Sequence, residues 1–299
     1  MQTKGATGGA PANTLRVDPA RDLPLLAAWR LRVPARQLRP LARGDHGPLR
    51  AWLQSESALR LAEARRDAYD DLALLERLGA RLVTPDDAEW PSGFADLRDA
   101  PAFIAVRGLA VGGSAPRGIA IVGARDAEER ACAFAYELAV RLGGPVLSGL
   151  ALGIDAAAHR GALAAHLPTV AYVGTGIALT YPPEHAELAE SIVANGGALA
   201  SESAPRDRAT PWSLMRRDRL QAAHAAAVVL VVSAADGGAM HTMRFAQDLG
   251  RARFAVDTDA SGNRSALENG AVALPWSIGE AAAIVSNVIL SLSKDEPKP

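Results

Sequence analysis

A glycine-rich loop in front of a helix is the first stretch of this sequence whose residue types could do chemistry. Residues 148–163 read SGLALGIDAAAHRGAL, with Ser148, Gly149 and Gly153 ahead of a run rich in alanine. Glycine lets backbone N–H groups approach an anion, and a helix N-terminus offers unpaired N–H groups and partial positive charge. The stretch predicts a phosphate site, although a strand-to-helix turn also needs glycine for its geometry alone.

Four further polar loops follow apolar, strand-like runs. They read GAR at 123–125, GTG at 174–176, SES at 201–203 and SAADGGAMHT at 233–242. Parallel strands end at one edge of their sheet, and ligands bind there beside the helix N-termini. We expect the five loops to share that edge. The candidate phosphate contacts are Gly123, Ser148, Gly149, Gly153, Gly174, Gly176, Gly237, Gly238 and Thr242.

Arginines near these loops supply positive charge. Arg125 belongs to the GAR loop, and Arg216, Arg217 and Arg219 lie close together in SLMRRDRL. Arginine forms bidentate contacts with phosphate, so we expect all four to bind an anion; the alternative is that they are solvated helix charges paired with aspartates. Trp212 precedes the cluster, and its indole either stacks on a base or packs in the core.

No arrangement typical of catalysis or metal binding stands out. The six histidines lack H-E-x-x-H spacing, and the sequence has neither a Walker A motif nor the dinucleotide fingerprint G-x-G-x-x-G. Asp155 and His159 are four residues apart, which suits an acid–base pair but more often gives a hydrogen bond on a helix face. Glu202 and Asp236 are the other acids near the loops. We therefore expect no catalytic residue, no metal and no cofactor.

The element order that positions these loops follows from the hydrophobic pattern. From residue 118 onward, apolar runs alternate with amphipathic segments, from GIAIVGA to a last strand ARFAVDT, and two short strands, RLVT and AFIAVRG, precede them. Alternation of this kind is typical of βαβ units in a parallel sheet buried on both faces. The sequence predicts the α/β class, with a doubly wound, mainly parallel sheet.

The chain divides into four segments by composition. We expect a disordered lead over 1–17, a small helical domain over 18–80, the α/β domain over 81–287 and a disordered tail over 288–299. Within the α/β domain, residues 262–287 are expected to form a helical cap.

Net charge and hydropathy limit the partners. The formal net charge is −1, so a polyanion would have to bind a local patch rather than the whole surface. No apolar run approaches the ~20 residues of a membrane span, and the N-terminal segment lacks the apolar core of a signal peptide. We expect a cytoplasmic protein with no membrane partner.

Together these motifs resemble the DNA-processing protein A (DprA, or Smf) family over residues 20–285. VLSGLALGIDAAAHRGAL is close to the family's S-G-x-A-x-G-I-D-x-x-A-H-x-G-A-L, and IAIVGAR is similar to its strand ending in G-S-R. The resemblance implies an extended Rossmann fold with a SAM-like helical domain, and a homodimer that binds single-stranded DNA and helps load the RecA recombinase in natural transformation. It implies that Arg125, Arg217 and Arg219 grip phosphates and that the protein is not an enzyme.

Three departures from the family pattern concern DNA affinity. Ala124 replaces the usual Ser or Thr, Leu214 replaces an aromatic residue, and Asp218 replaces the Asn between the arginines. Asp218 adds negative charge, and Leu214 removes a stacking surface for which Trp212 can compensate. Two alternatives stay open. One is a nucleotide-binding or nucleotide-processing protein akin to the LOG phosphoribohydrolases, whose catalytic Glu is missing from DGGAMHTMRF; the other is a defence or regulatory protein on the same fold.

Overall fold

Helices precede a long alternation of strands and helices in the computed structural model, which describes residues 17–43, 45–109, 112 and 118–295. The helices are α1 (Pro19–Arg30), α2 (Ala35–Ala42), α3 (Gly47–Leu53), α4 (Ala58–Leu78), α5 (Glu129–Arg141), α6 (Ile154–Ala164), α7 (Ala186–Ala194), α8 (Pro211–His224), α9 (Ala239–Asp248), α10 (Ser261–Glu268) and α11 (Ile278–Asp295). The strands are β1 (Ala80–Val83), β2 (Ile104–Gly108), β3 (Ile119–Val122), β4 (Val146–Ser148), β5 (Thr169–Tyr172), β6 (Ala198–Ser201), β7 (Ala227–Leu230), β8 (Ala252–Val256) and β9 (Val272–Leu274).

These strands form one sheet in the order β1-β2-β6-β5-β4-β3-β7-β8-β9. β1 pairs antiparallel with β2, and β2 pairs antiparallel with β6, while the pairs from β6 to β9 are parallel. The chain winds from β3 toward β6 in one direction and from β7 toward β9 in the other. The predicted doubly wound, mainly parallel α/β fold is confirmed, and its switch point lies between β3 and β7.

Apolar side chains cover both faces of the sheet. Every residue of β3 and β7 is buried, as expected for central strands with helices on either side. On one face, Leu26 of α1 and Leu75 of α4 join the same apolar cluster as Phe103 and Ile192. The N-terminal helices therefore pack directly against the α/β part of the chain, while the domain boundary predicted at residue 80 stays a prediction.

The structure corrects the predictions for the C-terminal part. A further strand, β9, follows the expected last strand, because Val272–Leu274 pairs in parallel with residues 254–256 of β8. Helix α11 crosses the expected disordered tail as far as Asp295, since Val288 and Ile289 pack against the core. Residues 1–16 of the expected disordered lead lie outside the described residues. In the described part of the chain, no helix combines the length and hydropathy that a membrane crossing requires.

Candidate functional site

A cleft opens at the switch point of the sheet, where β3 and β7 end. Its volume is about 570 Å³, and it is called the first cleft below. Arg125 and Asp126 enter it from the loop after β3, while Gly237, Gly238 and Thr242 come from the loop and helix after β7. The structure thus brings the first and last of the predicted loops together, at the place where α/β sheets bind ligands.

A second cleft, of about 670 Å³, lies between the N-terminal helices and the start of α8. Arg32 lines it from the turn after α1, and Arg208, Trp212 and Arg216 line it from α8 and the segment before it. Thr210 and Arg217 line both clefts. The first turn of α8 therefore separates two neighbouring depressions on one rim.

Hydrogen bonds fix the start of α8 between the clefts. The Thr210 hydroxyl accepts from the Ser213 backbone N–H at 3.0 Å, and the Ser213 hydroxyl accepts from the Thr210 N–H at 2.9 Å. This reciprocal pair is a capping box, and Pro211 supplies a preset φ at the first helical position. Trp212 follows with 64% of its surface exposed, so the alternative of a core tryptophan is wrong.

Arg125 is the exposed cation at the switch point. No described residue accepts a hydrogen bond from its guanidinium or forms an ion pair with it, so it does not pair with Asp126 or Asp155. Its positive charge helps to lower the pKa of Asp218, although burial raises that pKa by more. Arg125 therefore keeps its donors available to a ligand in the first cleft.

Arg217 lies at the floor of the clefts and is only 7% exposed. Its Nε donates to Asp218 Oδ1 at 2.7 Å, and its Nη1 donates to the carbonyls of Gly149 and Tyr172. Gly149 makes room for this guanidinium, because an added Cβ would lie closer than 3.0 Å to it. Most donors of Arg217 are thus used within the protein, and Gly149 is explained by packing.

Arg219 does not belong to either cleft, which corrects the prediction made for it. It is 2% exposed, and its Nε donates to Asp99 Oδ2 at 2.9 Å while its Nη2 donates to Glu202 Oε1 at 2.8 Å. Arg216 is about one third exposed and shares Glu202 at 2.9 Å. A buried cation needs such partners, so Arg219 holds α8 to the rest of the protein.

An internal carboxylate occupies the glycine loop that was expected to cradle a phosphate. Asp155 Oδ2 accepts from the N–H groups of Gly149 at 3.0 Å and Ala151 at 3.3 Å. Ser148 is fully buried, and its hydroxyl donates to the Ile121 carbonyl at 2.7 Å. The Ser148 hydroxyl and the Gly149 N–H, both predicted phosphate contacts, are therefore already used by the protein's own groups.

Most of the predicted phosphate glycines have a packing reason. Gly153 has a φ of 70°, and a Cβ there would collide with the Ala124 carbonyl. Gly238 is different, because nothing lies within 4 Å of an added Cβ and the residue faces the first cleft. The glycines at which a Cβ would come closer than 3.0 Å to a neighbour also include Gly123, Gly174, Gly176 and Gly237.

The Asp155–His159 pair is not an acid–base unit. The His159 Nδ1 lies 2.7 Å from the Thr169 hydroxyl, and the ring is fully buried. Burial lowers the pKa of His159 to about 3 and raises the pKa of Asp155. The described residues also contain no group of three His, Cys, Asp or Glu that could hold a metal ion.

The two clefts differ in charge. Two arginines and three carboxylates line the first cleft, namely Arg125, Arg217, Asp126, Asp155 and Asp218. Burial raises the pKa of Asp218 to about 6, with a smaller contribution from Asp155 in the same direction. The second cleft has four arginines, two of which, Arg32 and Arg208, were not among the predicted contacts. Arg208 lies just upstream of the arginine cluster in the sequence, but no pattern places Arg32 at the rim.

Comparison with known proteins identifies the family. Residues 81–286 match the family model of DNA recombination-mediator protein A. A DprA relative from Mycobacterium tuberculosis is 38% identical over 261 residues, which cover 79% of this chain and 66% of that protein. The fold matches the solved structures of DprA from Streptococcus pneumoniae (TM-score 0.64, 22% identity, 88% of this chain and 92% of that one) and Helicobacter pylori (TM-score 0.60, 24% identity, 72% and 96%). The chain belongs to the DNA recombination-mediator protein A family.

Proposed function

We propose that the chain binds single-stranded DNA along the rim formed by the carboxyl ends of its strands. The observation that carries the proposal is the Arg125 guanidinium, which is exposed at the switch point of the sheet beside the first cleft and is bonded to no described residue. Arginine is well suited to a phosphodiester oxygen. The Helicobacter pylori relative, which shares this fold, is known as a single-stranded DNA-binding protein.

Preference for a single strand follows from the shape and charge of the rim. The exposed Trp212 indole needs the face of an unstacked base, which a duplex does not offer. Duplex binding draws on many phosphate contacts from a broad basic surface, whereas this chain has a net charge of −1 and a few arginines at two clefts.

The role that fits this activity is recombination mediation. A homodimer of this chain would cover incoming single strands in the cytoplasm, protect them and help to load the RecA recombinase. Membership of the family supports this role. We infer binding without cleavage, because the Glu202 carboxylate is held by Arg216 and Arg219 and the buried Asp155 and His159 do not pair.

The test is a titration of labelled oligo-dT, and of a duplex of the same length, at two salt concentrations. The single strand should bind more tightly than the duplex, and its affinity should fall as salt rises because phosphate contacts release counterions. Equal affinities for the two forms, or no binding at low salt, would overturn the proposal.

A further inference from the structure

The second cleft has a surplus of positive charge that the protein does not use. Four arginines line it against two carboxylates, of which Glu202 accepts from Arg216 at 2.9 Å and Asp207 lies 3.8 Å from Arg30, whose hydrogen bonds go to Asp71. Arg32 and Arg208 are exposed and have no ion-pair partner among the described residues. The uncompensated charge of this cleft therefore rests on two arginines from different parts of the chain.

Arg32 is also unusual in its backbone. Its φ is 55°, in the left-handed region that favours glycine, and its N–H donates to the Trp29 carbonyl at 2.9 Å to close α1. Its side chain is exposed, so the guanidinium can bind an anion in the cleft.

Aromatic surface lies close to these charges. Trp212 is 64% exposed and lines the second cleft from the capped first turn of α8. Trp29 lines the same cleft and packs on the buried Phe103, with ring centroids 4.5 Å apart. Cations beside an exposed, well-positioned indole form the combination that binds single-stranded nucleic acid, with phosphates on the cations and a base on the ring.

We propose that the second cleft is an additional nucleotide subsite, in which Arg32 and Arg208 bind phosphates and Trp212 stacks on a base of the same strand. The inference rests on the proposed function, because the strand would reach this subsite from the first cleft across the first turn of α8. Thr210 and Arg217, which line both clefts, mark that crossing point. The N-terminal helices thereby become part of the binding surface.

The contribution of Arg32 and Arg208 to DNA affinity is tested with labelled oligo-dT of increasing length. The lengths run from about 4 to about 16 nucleotides, the range of site sizes known for single OB-folds. The double variant Arg32→Ala/Arg208→Ala should bind the shortest strands as the wild type does, and should lose the gain in affinity with length. With long strands, its logarithmic salt slope should be smaller than that of the wild type by about 1.4, for two lost phosphate contacts. The double variant Arg65→Ala/Arg141→Ala is the control, because these arginines are exposed and line neither cleft.

The outcomes separate this proposal from the proposed function. If the wild type binds and the Arg32→Ala/Arg208→Ala variant keeps its length dependence and salt slope, the second subsite is wrong and binding at the first cleft stands. If the wild type binds no strand of any length, both are wrong. The Arg32→Ala/Arg208→Ala variant could also bind DNA as the wild type does but differ from it in molar mass by light scattering. That result would mean that a second copy of the chain covers the cleft, and it would also overturn the proposal.

Stacking of a base on Trp212 is tested by tryptophan fluorescence. Long oligo-dT should quench part of the tryptophan fluorescence of the wild type, and Trp212→Leu should remove that quenching and weaken binding. Tyr69→Leu is the matched control, because Tyr69 is 62% exposed and lines neither cleft. If bound oligo-dT quenches the tryptophan fluorescence of the Trp212→Leu variant as much as that of the wild type, Trp212 does not stack on a base.

Discussion

Asp218→Asn should stabilise the protein at neutral and alkaline pH but not in acid. Burial raises the pKa of Asp218 from its ordinary value of 3.8 to about 6. The unfolded chain therefore releases this proton more readily than the folded chain, and stability falls as pH rises from about 4 through about 6. The ionised carboxylate then costs up to about 3 kcal/mol, at about 1.4 kcal/mol for each pH unit.

Asparagine has the shape of the protonated acid, so the substitution should remove this cost. In urea unfolding at pH 8, we expect a gain of up to about 3 kcal/mol in the free energy of unfolding, shrinking toward zero near pH 4. Asp126→Asn, at an exposed position of the same cleft, should change stability by less than about 0.5 kcal/mol. An equal effect of Asp218→Asn at pH 4 and pH 8, or destabilisation at pH 8, would refute the reasoning.

Three further predictions follow from the packing of the rim. Gly153→Ala should destabilise the protein by about 1–3 kcal/mol in urea unfolding, because its φ is positive and the Ala124 carbonyl blocks the added Cβ. Gly238→Ala, where the Cβ has space, should be within about 0.5 kcal/mol of the wild type, and similar values for the two variants would contradict the packing account. Arg219→Ala should cost about 1.5–3 kcal/mol of stability, because it removes a buried cation that donates to Asp99 and to Glu202, of which Glu202 keeps Arg216; an unchanged free energy of unfolding would contradict this structural role. Incubation of the protein with nucleoside monophosphates should release no free base. Base release that is abolished by Glu202→Gln or Asp236→Asn would show that the protein is an enzyme.

The sheet and its rim could be predicted because they depend on local patterns. Buried runs such as IAIV of β3 have few alternatives to a central parallel strand, and parallel strands bring their carboxyl ends to one edge. That rule predicts Arg125 and Gly238 at the same edge, and the structure places both beside the first cleft. The same reasoning does not find β9, because this strand lies at the edge of the sheet and two of its three residues are exposed, which leaves no buried apolar run.

The sequence does not show whether a donor at the rim binds a group of the protein itself or an external ligand. The N–H groups of Gly149 and Ala151 suit either a phosphate or a carboxylate, and side-chain geometry gives them to Asp155. Arg219 resembles Arg125 in the sequence, but its side chain is buried in the structure and donates to Asp99, 120 residues away along the chain. Tertiary contacts of this range leave no trace in local spacing, and the same is true of Arg32 at the second cleft.

The most direct test of the rim as a DNA-binding site is the salt dependence of oligo-dT binding by Arg125→Ala, with melting temperatures measured on the same samples. Arg141→Ala is the control, since Arg141 is also exposed but ends α5 and lines neither cleft. Arg125→Ala should weaken binding by about 1–3 kcal/mol and lower the logarithmic salt slope by about 0.7, with an unchanged melting temperature. A lower melting temperature with the wild-type slope, or the same binding as Arg141→Ala, would contradict the account.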